Sequence, residues 1–379
     1  MTCIDQRPPF HLEAMENTAF AFKLTWATQT QLTDRRRCMT QQRQIWIGNA
    51  GKRRLMIHFV ISGMPGGVYD FAHIVQAEIG VDIVNLVPLS VSNTAHIKIK
   101  AGDTVVLMMT GYEYSKRGAP LWLLREMETR RHEIKKFGVF FHELYAFGPP
   151  WKSAFWLSPV QRYVVRRLAE MSDFWMTNRE GSAQWLCQYA GDKPHAVLPI
   201  FSTIGELQSR SAARKNHLMV FGTAGLRTVT YRAAGRELFQ WAKRQSLEIH
   251  DVGSPVTDQQ VMNALATNNV IQHGRLEADK ISDLLRDALF GIIAYPVGYI
   301  AKSSVFAAYC AHGLCPVLLS KGCAPSDGLL AGQHYLLGVP TGIVDADKAQ
   351  QTGEGAWGWY QSHTIACHGN ALRHFLALR

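Results

Sequence analysis

The sequence predicts an α/β protein made of two Rossmann-like, doubly wound domains that face each other across a cleft. Three observations predict it. The chain has 379 residues, more than one compact core usually holds, so two domains are the natural division. Short apolar, partly β-branched runs alternate with helical patterns, which implies mostly parallel sheets with right-handed crossovers. The alternation occurs twice, in tandem, on either side of a polar stretch at 203–216.

Order begins at Leu55. The run Leu55–Ile61 is short and apolar and reads as a buried strand. A glycine-rich turn, Gly63 to Gly67, leads into a helical pattern with Val68, Phe71, Ile74 and Val75 on one face. Strand, glycine turn and helix are the opening of a doubly wound domain. Strands follow at 81–87 and 104–109, a helix at 121–134, a strand at 137–142 and a long amphipathic helix containing 159–170. Strands at 174–177 and 196–200 complete a first domain, 55–202.

Residues 203–216 are polar and lack an apolar face, as an interdomain linker does. A second series then runs over 217–379. Strands are expected at 217–221, 248–252, near Ile271, at 291–295 and at 315–319, with helices at 229–244, 281–289 and 303–311. Gly313 fits a helix C-cap. The last helix is expected to pack back on the first domain. Residues 1–54 differ: Arg35-Arg36-Arg37 and Lys52-Arg53-Arg54 sit in polar surroundings with no apolar period. They read as a disordered basic leader or as the result of a start codon assigned too early.

A net charge of +10 and a pI near 9.3 favour acidic partners: nucleic acid, anionic lipid or a phosphorylated substrate. Seven cysteines with no C-x-x-C pair argue for reduced core thiols and a cytoplasmic setting rather than a metal cluster of Cys310, Cys315 and Cys323. No secretory signal is visible. The longest apolar approach to a membrane span, Ala288 to Ala301, is interrupted by Pro296 and reads as a buried strand and turn.

Ligands of open parallel sheets bind beyond the carboxyl ends of the strands, and the candidate residues fall there. Gly66 and Gly67 would let a ligand approach the backbone and an anion meet the following helix. No G-x-G-x-x-G pattern is present. His142 would orient or deprotonate a hydroxyl, with Glu143 holding its tautomer. Gly222 follows the first strand of the second half, and Arg227 would clamp a phosphate there, with Arg232 a turn on. The segment Tyr295–Ser304 delivers Lys302, Ser303 and Ser304 to a helix N-terminus, where amides, hydroxyls, a lysine charge and the helix dipole would converge on a pyrophosphate. The structural alternative is Ser303 as a plain N-cap with Lys302 in solvent. Finally, 151–167 mixes Trp151, Phe155 and Trp156 with Lys152, Arg162, Arg166 and Arg167. Such a surface would contact an anionic membrane face, line an acceptor site, or simply pack.

The tandem α/β halves, the glycine turn after the first strand and the block from Tyr295-Pro296 to Ala311-His312-Gly313-Leu314-Cys315-Pro316-Val317 resemble the GT-B glycosyltransferases, in particular glycosyltransferase group 1 (family 4), over about 55–379. The resemblance implies a UDP- or GDP-sugar donor held mainly by the second half, a glycan or lipid-linked acceptor held by the first, no metal and no further cofactor. It implies hexosyl transfer with retention, commonly in surface polysaccharide synthesis; the cysteines place such an enzyme in the cytoplasm, and a membrane contact through 151–167 would make it peripheral at the inner membrane face. His142 matches the family's strand-end histidine, and Arg227 lies near its basic donor-phosphate residue. The family's paired glutamates fall on Ile300 and Ala308, so both are absent. That departure keeps a catalytically inactive GT-B-like binding protein open. Another nucleotide-dependent α/β enzyme, such as a dehydrogenase, would need an acidic ribose partner near Asn85 to Ser90, where none occurs. Nucleic-acid binding is not required by the two-sheet pattern, and no nucleic-acid partner is expected.

Overall fold

The computed structural model describes residues 56–378 apart from 64–65, 91–98, 147, 211–213 and 323. The predicted leader and Cys323 lie outside the described residues. The first half runs β1 (Ile57–Ser62), α1 (Gly67–Ile79), β2 (Val84–Leu89), β3 (Thr104–Met109), α2 (Gly111–Tyr114), α3 (Leu121–Arg130), β4 (Lys136–Phe141), α4 (Ser153–Met171), β5 (Phe174–Thr177), α5 (Glu180–Ala190) and β6 (His195–Val197). The second half runs β7 (Lys215–Phe221), α6 (Ala224–Gln245), β8 (Glu248–Val252), α7 (Gln259–Thr267), β9 (Ile271–Gly274), α8 (Ala278–Asp287) and β10 (Ala288–Ala294). A 3₁₀ turn (Val297–Lys302), α9 (Ser304–Ala311), β11 (Cys315–Leu319), β12 (Leu336–Leu337), α10 (Ala346–Tyr360) and α11 (Ile365–Leu376) complete it.

Each half holds a six-stranded sheet, ordered β2-β1-β3-β4-β5-β6 and β12-β11-β10-β7-β8-β9. The paired strands are parallel throughout. In each sheet the order reverses once, beside β1 and β3 in the first and beside β7 and β10 in the second. Such reversals open a crevice where ligands bind. The predicted pair of doubly wound domains is therefore the observed architecture.

Several boundaries moved for local reasons. Residues 81–83 turn rather than extend, because Ile83 N bonds back to Gly80 O at 3.2 Å, so β2 starts at Val84. Helix α3 ends at Arg130, where Glu133 N closes a turn onto Arg130 O at 2.9 Å. Strand β7 begins at Lys215 and shortens the predicted linker. The largest shift is α6. Thr223 caps it by accepting the Leu226 amide at 3.0 Å, so it starts five residues before the predicted Val229 and takes in Arg227. Helix α7 was not predicted, and α8, expected at 281–289, ends at Asp287 because Ala288 already pairs with Lys215.

The halves share one continuous apolar cluster, in which Phe71 and Phe201 of the first meet Phe306, Tyr360, Leu372 and Phe375 of the second. Helix α11 returns to lie on α1. Phe375 stacks on Phe174 with ring centroids 4.9 Å apart, Arg373 bonds Glu78 and Lys136 Nζ reaches Phe375 O. Burying a side chain such as Leu372 or Phe375 contributes about 1.5–3 kcal/mol, so this helix is a strong strap between the halves. Nearer the cleft, Ile200 N donates to Ala301 O at 2.8 Å, and Glu206 accepts from Tyr360 Oη at 2.6 Å and from Ile365 N at 2.8 Å. The first bond ties the chain just after β6 to the turn that carries Lys302, and the other two tie the following loop to α10 and α11.

Candidate active site

The cleft between the two sheets holds a cavity of about 220 Å³ lined by His142, Glu143, Tyr145, Gln161, Arg179, Tyr299 and Lys302, among others. Strand ends supply most of this lining. β4 delivers His142 and Glu143, β5 delivers Arg179, and the turn after β10 delivers Tyr299 and Lys302.

His142 is buried, stacked on Phe140 at 4.3 Å and met edge-on by Phe71 at 4.8 Å. Burial first, then the nearby Lys302 charge and His368, lower its pKa to about 3, against a hydrogen bond to the Asn178 side chain. The imidazole is therefore neutral at physiological pH. It is also too weak a base to deprotonate a hydroxyl there, contrary to the sequence expectation. Its buried Nε2 has no hydrogen-bond partner within the protein. Such a nitrogen is costly unless something polar reaches it, and this one belongs to a residue that lines the cavity.

Glu143 does not hold the His142 tautomer. Its carboxylate instead faces Lys302 Nζ across the cleft at 3.8 Å. Lys302 is only about a quarter exposed. Ser303 is the N-cap of α9 and accepts the Phe306 amide at 3.2 Å, so its hydroxyl oxygen already has a structural task. Ser304 opens the helix, whose first amides have no intrahelical acceptor. Gly222 lies against this same turn. Its φ is +129°, and a Cβ there would come within 3.2 Å of Val305 Cγ2, so only glycine lets β7 end this close to α9. Gly222, Lys302, Ser303 and Ser304 thus gather at the β7/β10 reversal.

Arg227 does not join them. It is 1% exposed, because α6 turns it inward toward β8. Its guanidinium is held by the Asp251 carboxylate, by Gly222 O at 3.1 Å and by Ser254 O. Asp251 is fixed further by Tyr231 Oη at 2.9 Å. The expected phosphate clamp is an internal cross-link. Arg232, mostly exposed, pairs with Asp258.

Sequence reasoning missed Arg179. It lies two residues after the end of β5, over the Tyr299 ring at 3.9 Å, and its buried Nε has no partner. Its place just beyond the end of a short apolar strand was the available signal. Glu113 was missed as well. It stands on α2 beside the first reversal, accepts from Ser62 Oγ at 2.7 Å, and has its pKa raised mainly by burial, with Glu143 and Asp70 adding repulsion. Gly66 is beside it: a Cβ there would stand 3.5 Å from Glu113 Oε1. Gly67 is the first residue of α1.

The positions of the family's paired glutamates, Ile300 and Ala308, are both fully buried in the shared apolar cluster. Cys310 and Cys315 are free, buried thiols. Among the described residues no helix is long and apolar enough to cross a membrane. Trp151 and Trp156 are 80% and 70% exposed at the start of α4.

No protein-family model and no curated protein matches the chain. Solved structures do. TarM superposes with a TM-score of 0.50 at 12% identity over 74% of this chain, which spans 57% of TarM. HepE of Anabaena, in complex with UDP and glucose, gives 0.49 at 14% identity over 85% of this chain and 99% of HepE. An alpha-glucosyltransferase in complex with UDP and DNA gives 0.49 at 10% identity, over 86% and 100%. At such identities the likeness is one of fold, and the fold is that of the GT-B glycosyltransferases.

Proposed function

We propose that the protein is a glycosyltransferase that moves a hexosyl group from a UDP- or GDP-sugar to a hydroxyl of a glycan or lipid-linked acceptor. The observation that carries this reading is the cluster at the β7/β10 reversal. There Lys302 and the N-terminus of α9 meet beside Gly222, and Arg179 approaches from the other domain. A diphosphate seated there would be met by the lysine charge, the Arg179 fork and the helix amides. Those groups would stabilise the charge that grows on the leaving nucleotide as the glycosidic bond breaks. His142, held neutral, would offer Nε2 to a sugar or acceptor hydroxyl and so position it. Glu143 would partner Lys302 until the donor takes its place. On this reading the donor is the only nucleotide required and no separate cofactor enters. Retention and a role in surface polysaccharide assembly rest on the sequence resemblance to glycosyltransferase group 1 and are part of this proposal. The exposed Trp151 and Trp156 at the start of α4 favour a lipid-linked acceptor presented at a membrane face. Flotation with anionic vesicles should then be reduced in a Trp151→Ala, Trp156→Ala protein; unchanged flotation removes that part of the reading.

A second reading, a nucleotide-binding protein without transferase activity, is favoured by the apolar residues at 300 and 308. Thermal melts with UDP, GDP, ADP and NAD, run beside Lys302→Ala, separate the alternatives. A ligand at a hundredfold excess over its Kd stabilises the folded state by about 2.7 kcal/mol. UDP or GDP should raise the melting point of the native chain and not that of the variant. Stabilisation without hydrolysis or transfer of the matching nucleotide-sugar would favour the binding role. A shift with NAD alone would overturn both.

A further inference from the structure

A second cluster of functional side chains lies in the second half, away from the cleft. His217 is on β7, Glu248 and His250 are on β8, and His273 is on β9. The register sets His217 opposite Glu248. Residues two apart on a strand share a face, so His217, Glu248 and His250 project together.

We infer that His217, Glu248 and His250 form a binding site for a divalent transition-metal ion of the zinc class, with His273 as its supporting residue. His217 Nε2 is 3.1 Å and His250 Nε2 is 3.8 Å from Glu248 Oε2. One ligand atom from each of the three lies within 4.8 Å of the others. Two ligands placed tetrahedrally at roughly 2.1 Å from zinc stand about 3.4 Å apart, so the protein already holds its donors near the separation an ion requires. Two imidazoles and one carboxylate are an ordinary zinc donor set, with a fourth place open to water. His250 Nε2 is buried and has no hydrogen-bond partner.

The surroundings fit the same purpose. His250 Nδ1 lies 2.9 Å from His273 Nε2. When Nδ1 donates that bond, the Nε2 lone pair turns toward Glu248, which is how outer partners orient metal-bound histidines. Glu248 is 64% exposed, which leaves an entry path from solvent. The cluster lies toward the amino ends of β7 and β8, while the proposed donor site lies at their carboxyl ends. An ion here would brace neighbouring strands and take no part in sugar transfer.

The test is calorimetric titration of the EDTA-stripped full chain with zinc, repeated with cobalt to read the visible absorption of a four-coordinate site. One equivalent should bind and raise the melting point. Glu248→Gln, at an exposed position, should fold and bind at least tenfold more weakly. His217→Gln should do the same, and His273→Gln should lose about ten- to a hundredfold. Circular dichroism of each variant separates lost binding from lost folding. No binding to the native chain, or undiminished binding by folded Glu248→Gln and His217→Gln, overturns the assignment. UDP binding should be the same with and without the ion, so failure of this site and failure of the proposed transferase site are read separately.

Discussion

The segments that follow β5 and β7 begin alike. Each leaves an apolar strand and presents an arginine within a few residues, Arg179 after β5 and Arg227 after β7. Their fates are opposite. After β7, Thr223 starts a helix at once, and that helix aims Arg227 at the buried Asp251. After β5, Arg179 is itself the cap position of α5 and stays outside the helix. It projects into the cleft and meets Tyr299 of the other domain. Placement at a strand end is therefore not enough to make a basic residue a phosphate ligand. Two residues separate strand from helix in both cases; what differs is the arginine's place, Arg179 at the cap and Arg227 in the first turn of the helix, and that place decides whether the side chain turns inward or toward the ligand.

The comparison breaks most visibly at Arg227. Replacing it with methionine fills much of the same space but strands Asp251 in the interior, 3% exposed. Removing one partner of a buried ion pair costs about 3–5 kcal/mol. Arg227→Met should lose that much unfolding free energy in a denaturant melt, while its folded fraction still binds the nucleotide. A variant of near-native stability that fails to bind would put Arg227 on the ligand after all.

The fold was legible because parallel strands buried on both faces read as short apolar runs, and glycine or polar breaks separate them. Gly222 and Lys302–Ser304 were legible for a related reason: each directly follows a strong strand, so the chain itself places it at the cleft. What was not legible depends on the partner domain or on a neighbouring strand. The Glu143–Lys302 contact joins residues 159 positions apart, and nothing local to either predicts it. His217 and Glu248 face each other only because of the β7/β8 register. Arg227 was misread because Thr223 was passed over as a cap, although a threonine three residues before the first large apolar side chain is the usual sign of one. Arg179 was less legible because β5 is only four residues long and polar Thr177 and Asn178 blur its end.

Arg179 offers the finer test. It touches Tyr299 and the cavity, and a partly exposed cation–π contact is worth about 0.5–1 kcal/mol. Arg179→Ala should therefore cost little stability, well under the loss at Arg227. Its effect should appear in binding. A hydrogen bond to a charged group contributes about 1.5–3 kcal/mol, so UDP or GDP affinity should fall roughly ten- to a hundredfold in a calorimetric titration. Arg179→Lys keeps the charge but loses the planar fork and the stacking on Tyr299, and should fall between the two. Equal weakening by lysine and alanine would mean that the fork geometry carries the contact. Native affinity in both would leave Lys302 and the α9 amides as the whole anion site, and Arg179 as a contact between the domains alone.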